Sequence, residues 1–525
     1  MEKTLKSKLV RYLAAGILIA FLIFLYFYRL DLTPPHLNQD EMMFGLNAYS
    51  IAKNGTDFYG NSYPFYFWHL GSFWATPVIV YVTSLFLKFI PFGEAGIRVS
   101  GAFMGLTSIF LLSLTAKKIF KENIYFFMAI IIAGSVPVLF INSRVLLDNI
   151  WPIPFVILWL LLLKIFTDRQ KLLALFLSGL ALGIGIHSYH AAKIVMPMYF
   201  IATTVYLFII RKAKFQNLAV FALGFAIPII AFIPWLKAHP DTLLNQVSYI
   251  SSLDRSVSVS KGIWGVFNPE RFKDFASNYF TYFSPKILFV EGDRSLIHST
   301  GKIGAFSFGV AFLLLFGIAS VLMKKGDWFS KLILFGFLTY PVASSIVNDP
   351  QRISRSLIVV PFVVILSIYG IEFLRSQKEK VFRYLFIGII VFIVAEFSIF
   401  LSDYFGDYRV RSSGWFNNSI DGLYGSVIRS TGLRKVNSIY IDDNIFFAEN
   451  YFDFYQLKFG KDLSGRTIYF NPQVQNFSKF PVYSLVAISE SNIRLKPDKI
   501  KGFEKIEIIR ELNGYETFFV YYKSE

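Results

Sequence analysis

The 525-residue sequence contains no cysteine. That excludes disulfide staples, thiolate metal centres and cysteine nucleophiles. Charge is scarce as well. Asp, Glu, Lys and Arg together make 17% of the chain, against about 25% in soluble domains. Acidic residues are the scarcer sign, 35 against 52 Lys and Arg, leaving a net charge of +17. There are six histidines, and neither a tandem repeat nor a low-complexity stretch, so solenoid and linker-type chains are excluded. What is abundant is apolar surface: 54% of residues are hydrophobic, 59 of them Phe, and the mean hydropathy is +0.51.

Such a composition does not fit a soluble protein of this length. Runs such as LAAGILIAFLIFLYFY (13–28), FMAIIIAGSVPVLFI (127–141) and LFIGIIVFIVAEFSIFL (385–401) approach the roughly 20 apolar residues that span a bilayer core. Most lack the polar stripe of a soluble amphipathic helix. The fold class expected is an all-α polytopic membrane protein. The excess of basic residues does not indicate nucleic acid, because it clusters at the ends of apolar runs, as the positive-inside rule requires. The basic N-terminus MEKTLKSKLVR precedes an apolar run with no small-residue cleavage site, so a retained first span is expected.

Basic clusters at Lys3–Arg11, Lys117–Lys121, Arg169/Lys171, Arg211–Lys214, Lys324/Lys325 and Arg375–Arg383 become cytoplasmic together if spans pass between them in pairs. This gives about eleven spans, at 12–29, 99–116, 124–141, 151–166, 172–188, 194–210, 217–235, 303–322, 330–347, 356–373 and 384–402. The N-terminus is then inside and the C-terminus outside. The run WATPVIVYVTSLFLKFI (74–90) would invert that order as a span. With Pro77, Lys88 and the aromatic approach YPFYFWHLGSFW, it is expected as an interfacial helix in the outer leaflet. Two domains follow: a transmembrane catalytic domain, 1–403, with outer loops 30–98 and 236–302, and a small extracytoplasmic α/β domain, 404–525. In the latter, NSIYIDD and YSLVAIS read as strands. FAENYFDFYQLKFG reads as a helix stopped by Gly460. Asn513-Gly514, between alternating segments, reads as a hairpin turn.

The outer side then gathers ionisable residues of both signs. They are Asp40, Glu41, Asp57 and Arg98 in the first loop; Arg144 and Asp148 in NSRVLLDN; His187, His190 and Lys193 in HSYHAAK; Glu291, Asp293, Arg294 and His298 in FVEGDRSLIHS; and Asp349, Arg352 and Arg355 in NDPQRISRS. The inner side is almost purely basic. Arginines at the outer face suit phosphate oxygens. A carboxylate beside them suits proton removal from an attacking hydroxyl.

These segments resemble a known group. Asp40-Glu41 after the first span, AYSIAKNGTDFYGNSYPFYF (48–67), GEAGIRVSGAFMGL (93–106), SRVLLDNIWPIPFVI (143–157), GIHSYHAAKIVMP (185–197), FVEGDRSLIHSTGKIG (289–304) and DPQRISRSLIVVP (349–361) are similar, in order, to blocks of the GT-C superfamily. Within it they resemble the protein O-mannosyltransferase and lipid A aminoarabinose transferase type and its bacterial family 39-like members, over roughly residues 10–400. The resemblance implies inverting transfer of a monosaccharide from a polyprenyl-phosphate donor to a lipid, glycan or protein acceptor on the extracytoplasmic side of the cell membrane. It implies Asp40 as the base, Glu41 as its acceptor-placing neighbour, and Arg98 as an organiser of the donor site. Arg144, Asp148, Lys193, Arg352 and Arg355 are the further donor-site candidates. The acceptor domain of the eukaryotic O-mannosyltransferases has no counterpart here.

Plainer readings stand beside these. Asp40 or Glu41 caps the helix that begins there. Arg144 and Asp148, four apart, simply pair on a helix. Lys193, Arg352 and Arg355 anchor span ends among headgroups. His187 and His190 are two histidines without a third ligand, so metal independence is expected, a divalent ion being the alternative. No cofactor is expected. A transporter or lipid-linked-glycan flippase is the competing function, although inverted repeats and mid-span polar residues are not evident.

Overall fold

The structure, a computed structural model, describes residues 2–242, 269–346, 352–494 and 500–524. Asp349, and residues 243–268 of the second large outer loop, lie outside the described residues.

Helix succeeds helix through the first 405 residues. They are α1 (Glu2–Phe27), α2 (Gln39–Asn54), α3 (Pro77–Leu87), α4 (Glu94–Phe120), α5 (Asn123–Gly134), α6 (Pro137–Ser143), α7 (Pro152–Arg169), α8 (Leu172–Gly185), α9 (Ala192–Ile209) and α10 (Phe215–Ala238). After these come α11 (Pro269–Thr281), α12 (Phe308–Met323), α13 (Trp328–Thr339), α14 (Val359–Ser376) and α15 (Lys380–Phe405). Each expected span overlaps one or more of these helices. Among the described residues, seven helices are long and apolar enough to cross a membrane. The bent pair α5–α6 makes an eighth, and the apolar stretch Gly16–Phe27, α8 and α12 are shorter. The chain is therefore a multi-pass membrane protein.

Two local features differ from, or refine, the reading of the sequence. The expected span 124–141 is two helices bent by 67°. Pro137 begins the second one, because proline supplies no N–H to continue the ladder from α5. The 74–90 run yields an 11-residue helix, α3. At about 1.5 Å per residue it is roughly half the hydrocarbon thickness, so it cannot cross alone.

The chain divides into two compact units. The first comprises residues 1–28, 64–82 and 100–402. Its centre is α14, buried over 78% of its most apolar window, whereas α10 and α15 are buried over only 22% of theirs. The latter two leave Ile230, Val391 and Ile399 exposed, as lipid-facing helices do. Gly317 of α12 and Gly370 of α14 let the two backbones touch. A Cβ at either would overlap a carbonyl oxygen of the facing helix, that of Leu366 or of Leu313.

The second unit comprises residues 29–63, 83–99 and 403–525. Its tail holds α16 (Asp407–Ser412), α17 (Ile420–Leu433), α18 (Ala448–Phe459) and α19 (Glu490–Arg494). It also holds a five-stranded sheet of β3 (Ser438–Asp442), β4 (Thr467–Phe470), β5 (Ser484–Ser489), β6 (Glu504–Arg510) and β7 (Glu516–Lys523); β1 (Phe67–His69) and β2 (Phe73–Ala75) form a small antiparallel ribbon in the first unit. The strand order is β4-β3-β5-β7-β6. β3 runs parallel to both β4 and β5, and β7 is antiparallel to β5 and β6. Tyr440, Phe480, Val486, Phe519 and Tyr521 bury one sheet face. Ile509 points to the other and meets α17 at Gly422. The expected strands are β3 and β5, and the expected helix is α18, closed by Gly460 in the left-handed region. The expected hairpin is β6–β7, turning at Gly514 with φ +89°. In the same unit, Gly45 of α2 lies against Phe454 of α18, and Phe92 stacks between Tyr49 and Phe454.

Candidate active site

Helix α2 begins at an Asn-Gln-Asp-Glu sequence, and its start is fixed by a capping box. The Asn38 side chain accepts from Asp40 N at 2.9 Å, and Glu41 Oε2 accepts from Asn38 N at 3.1 Å. Two otherwise unsatisfied N–H groups are thereby paired. Asp40 and Glu41 sit in the first turn, where the helix dipole favours negative charge.

The two neighbours have different surroundings. Glu41 is fully buried and Asp40 is half-buried. Arg98, also fully buried, donates Nε–H to Glu41 Oε1 at 2.8 Å and an Nη2–H to Oε2 at 3.0 Å. Its other Nη2–H goes to the His36 carbonyl at 2.7 Å. The two Nη1–H groups go to the carbonyls of Leu30 and Pro34, at 2.9 and 3.0 Å. A guanidinium has five N–H donors, and all five are directed at the protein. With no donor left over, Arg98 holds the loop that carries Asp40. Glu41 is likewise committed, by its cap and by Arg98, to positioning.

The loop before α2 is fixed from its other side by His36. Its Nδ1 lies 2.9 Å from Asp421 Oδ1 and its Nε2 lies 2.6 Å from Glu511 Oε1. Burial alone would lower the His36 pKa, but the two carboxylates outweigh it and raise it to about 9. Tyr451 of α18 donates to the Leu37 carbonyl at 2.9 Å, and its ring senses the charges of both Glu41 and Asp40. Neither His36 nor Tyr451 was distinguished by the sequence. Asp57, also in this unit, closes a turn, accepting from Tyr59 N and Asn61 N at 3.0 and 2.7 Å.

The first unit assembles a second group of charges. Asp148 opens a short 3₁₀ turn, Asp148–Ile150, beside another, Ile353–Ser356, that carries Arg355. Lys193, in the first turn of α9, places its ammonium 4.9 Å from the centre of the Tyr66 ring and senses the Asp148 charge. Tyr189 lies in the fields of Asp148, Arg355 and Asp293, with its hydroxyl pKa raised chiefly by burial. Asp293 joins the EGD loop to the Arg355 turn, accepting from Ser295 N at 2.9 Å and Ser354 N at 3.0 Å. Asp148, Lys193 and Arg355 are thus brought into one neighbourhood, with Tyr189 and Asp293 as additional members. Arg352 precedes the same turn as its N-cap residue.

Arg144 has a different place. It ends α6, and the chain to Asp148 is not helical. The helical pairing of the two residues is therefore not formed. Instead, Arg144 donates Nη1–H groups to the carbonyls of Leu25 and Tyr26 and an Nη2–H to that of Tyr28, at 2.9, 3.0 and 2.6 Å. These are orphan acceptors at the C-terminus of α1. A buried cation there suits the negative end of the helix dipole.

Solved structures carry the same chain path. ArnT from Cupriavidus metallidurans bound to undecaprenyl phosphate superposes with a TM-score of 0.59 at 13% identity, over 97% of each chain. Its apo form superposes with a TM-score of 0.60 at 12% identity, over 98% of each chain. The chain has the fold of ArnT. Within it, residues 75–237 match the dolichyl-phosphate-mannose-protein mannosyltransferase family. That is less than half of the chain. No curated protein sequence matches.

The histidines of HSYHAAK have aromatic neighbours. The Tyr66 hydroxyl lies 3.0 Å from His187 Nδ1, and the Phe73 ring packs edge-on against His190. Among the described residues, no three His, Asp or Glu side chains are grouped as a metal centre requires.

Proposed function

We propose that the chain is an integral-membrane glycosyltransferase that moves a sugar from a polyprenyl-phosphate donor to an acceptor on the extracytoplasmic side. The observation that carries this reading is the contrast at α2: a fully engaged Glu41–Arg98 pair holding a half-buried Asp40 at a rigid helix start. The ArnT fold and the family match over 75–237 support it.

In this mechanism the acceptor hydroxyl attacks the anomeric carbon from the face opposite the phosphate. A carbon–oxygen bond forms to the acceptor, and the bond to the phosphate oxygen breaks with inversion. Asp40 takes the hydroxyl proton. The polyprenyl phosphate leaves carrying the electron pair. Lys193 and Arg355 are the cations that the sequence offers to its oxygens, as charge-assisted hydrogen-bond donors. Asp148 lies in the field of Lys193, Asp293 holds the turn that carries Arg355, and Arg352 is a secondary phosphate contact. Glu41 and Arg98 act through Asp40 and are positioning residues.

The test is sugar transfer in liposomes, with radiolabelled polyprenyl-phosphate sugars and a membrane acceptor extract, comparing the wild type with Asp40→Asn. Transfer by the wild type alone, with both proteins folded and binding donor, supports the reading. Equal transfer by both removes Asp40 from the mechanism. No transfer by either, across the donor panel, turns attention to a flippase.

A further inference from the structure

We propose that the C-terminal α/β region of the second unit carries a binding site for a neutral saccharide. A cavity of about 390 Å³ lies there, within the roughly 300–1,000 Å³ of small-molecule sites. Its walls come from the residues that follow three parallel strands: Asn444 and Phe446 after β3, Gln473 after β4, and Ser489 and Asn492 at the end of β5. In open α/β sheets, ligands bind at the carboxyl ends of the strands. Asn417 and Phe518 complete the wall.

The cavity is organised from behind by Asp442, the last residue of β3, which is fully buried. Its Oδ1 accepts from Asn444 N at 3.0 Å and from Asn444 Nδ2 at 3.1 Å. Its Oδ2 accepts from Ser489 N at 3.1 Å, Ser489 Oγ at 2.8 Å and Asn492 Nδ2 at 2.7 Å. Five donors on one carboxylate fix three wall residues in place. Both amide NH2 groups turn toward Asp442, so the carbonyl oxygens of Asn444 and Asn492 turn away from it. Asn417 is oriented the same way by giving Nδ2 to the Tyr451 hydroxyl at 2.6 Å. The wall thus presents fixed amide acceptors beside two phenyl rings, of which Phe446 is 57% exposed.

That chemistry selects the ligand class. Among the described residues, none that lines the cavity is charged, although the chain as a whole carries +17. A phosphate or carboxylate would meet no cation there. A bound cation would meet no available carboxylate, because both Asp442 oxygens are saturated. A sugar ring fits: its hydroxyls donate to the amide oxygens and its C–H face covers a phenyl ring. The idea that this sugar belongs to the acceptor rests on the proposed transferase function; the binding site itself does not.

The full-length protein in lipid nanodiscs would be titrated with tri-N-acetylchitotriose, mannotriose and maltotriose, with saturation-transfer NMR reporting the protons in contact. At least one trisaccharide is expected to bind, through its C–H face. Asn492→Ala and Phe446→Ala are expected to weaken it at least tenfold with unchanged thermal midpoints. Binding of none of the three at about 10 mM, where even an interaction of roughly 4 kcal/mol registers, overturns the proposal. So does binding that neither variant alters, or tighter binding of a uronate-containing trisaccharide. Trisaccharide binding without sugar transfer in liposomes would sink the transferase reading and leave this site standing. Transfer without trisaccharide binding would do the reverse.

Discussion

Arg98 and Glu41 meet as a bidentate pair, with contacts of 2.8 and 3.0 Å and no exposed surface on either residue. Neither charge would survive burial alone. Together, and with three backbone carbonyls on the remaining Arg98 donors, they stabilise the start of α2 and hence the position of Asp40.

Removing one member of that pair leaves the other buried and uncompensated. Arg98→Ala or Glu41→Ala is expected to destabilise the protein by about 3–5 kcal/mol. The double variant Glu41→Ala, Arg98→Ala is expected to lose less than the two single losses combined. Thermal midpoints in nanodiscs measure this, and strict additivity would count against the pair as the organiser of the loop.

Asp40→Asn keeps the shape of the side chain and removes its basicity. A loss of roughly 10²- to 10⁴-fold in turnover is expected, with an unchanged thermal midpoint. A large fall in stability would instead assign Asp40 to helix capping.

The His36 clamp gives stability a pH signature. The folded pKa of His36, about 9, lies above its ordinary value of 6.5. Its contribution is therefore complete below about 6.5 and disappears as pH rises through about 9. Asp421 and Glu511 have lowered values, for which burial is outweighed by their hydrogen bonds to His36. Their contributions are present above the ordinary carboxylate range and decline as pH falls through the lowered values. The midpoint difference between the wild type and His36→Gln should accordingly be largest near neutrality and close above pH 9. A difference independent of pH would remove the clamp.

Arg144 and Arg355 separate by role. Arg144→Ala frees carbonyls at the end of α1 and should cost about 1.5–3 kcal/mol for each charged hydrogen bond lost, with the donor KM of the folded fraction unchanged. Arg355→Ala and Lys193→Ala should raise the donor KM by about tenfold, the 1.4 kcal/mol scale of one phosphate contact. A raised KM for Arg144→Ala would return it to the donor site.

Much of this protein follows from its sequence. The helices arise where apolar runs of bilayer length occur, because in lipid a helix satisfies every backbone group within its own segment. Gly460 and Asn513-Gly514 marked a helix stop and a hairpin because left-handed backbone is a local property. The acidic pair announced a helix start for the same local reason. What stayed illegible is long-range. Glu41 finds Arg98 across 57 residues, and His36 finds Asp421 and Glu511 across 385 and 475. Arg144 reaches the end of α1 across 119 residues. Asp442 gathers Ser489 and Asn492 only because β3 and β5 are neighbours in the sheet. Sequence determined which segments form and which charges are near in the chain. Packing decided which buried charge meets which, since a buried ion takes whatever partner the fold brings within hydrogen-bond reach.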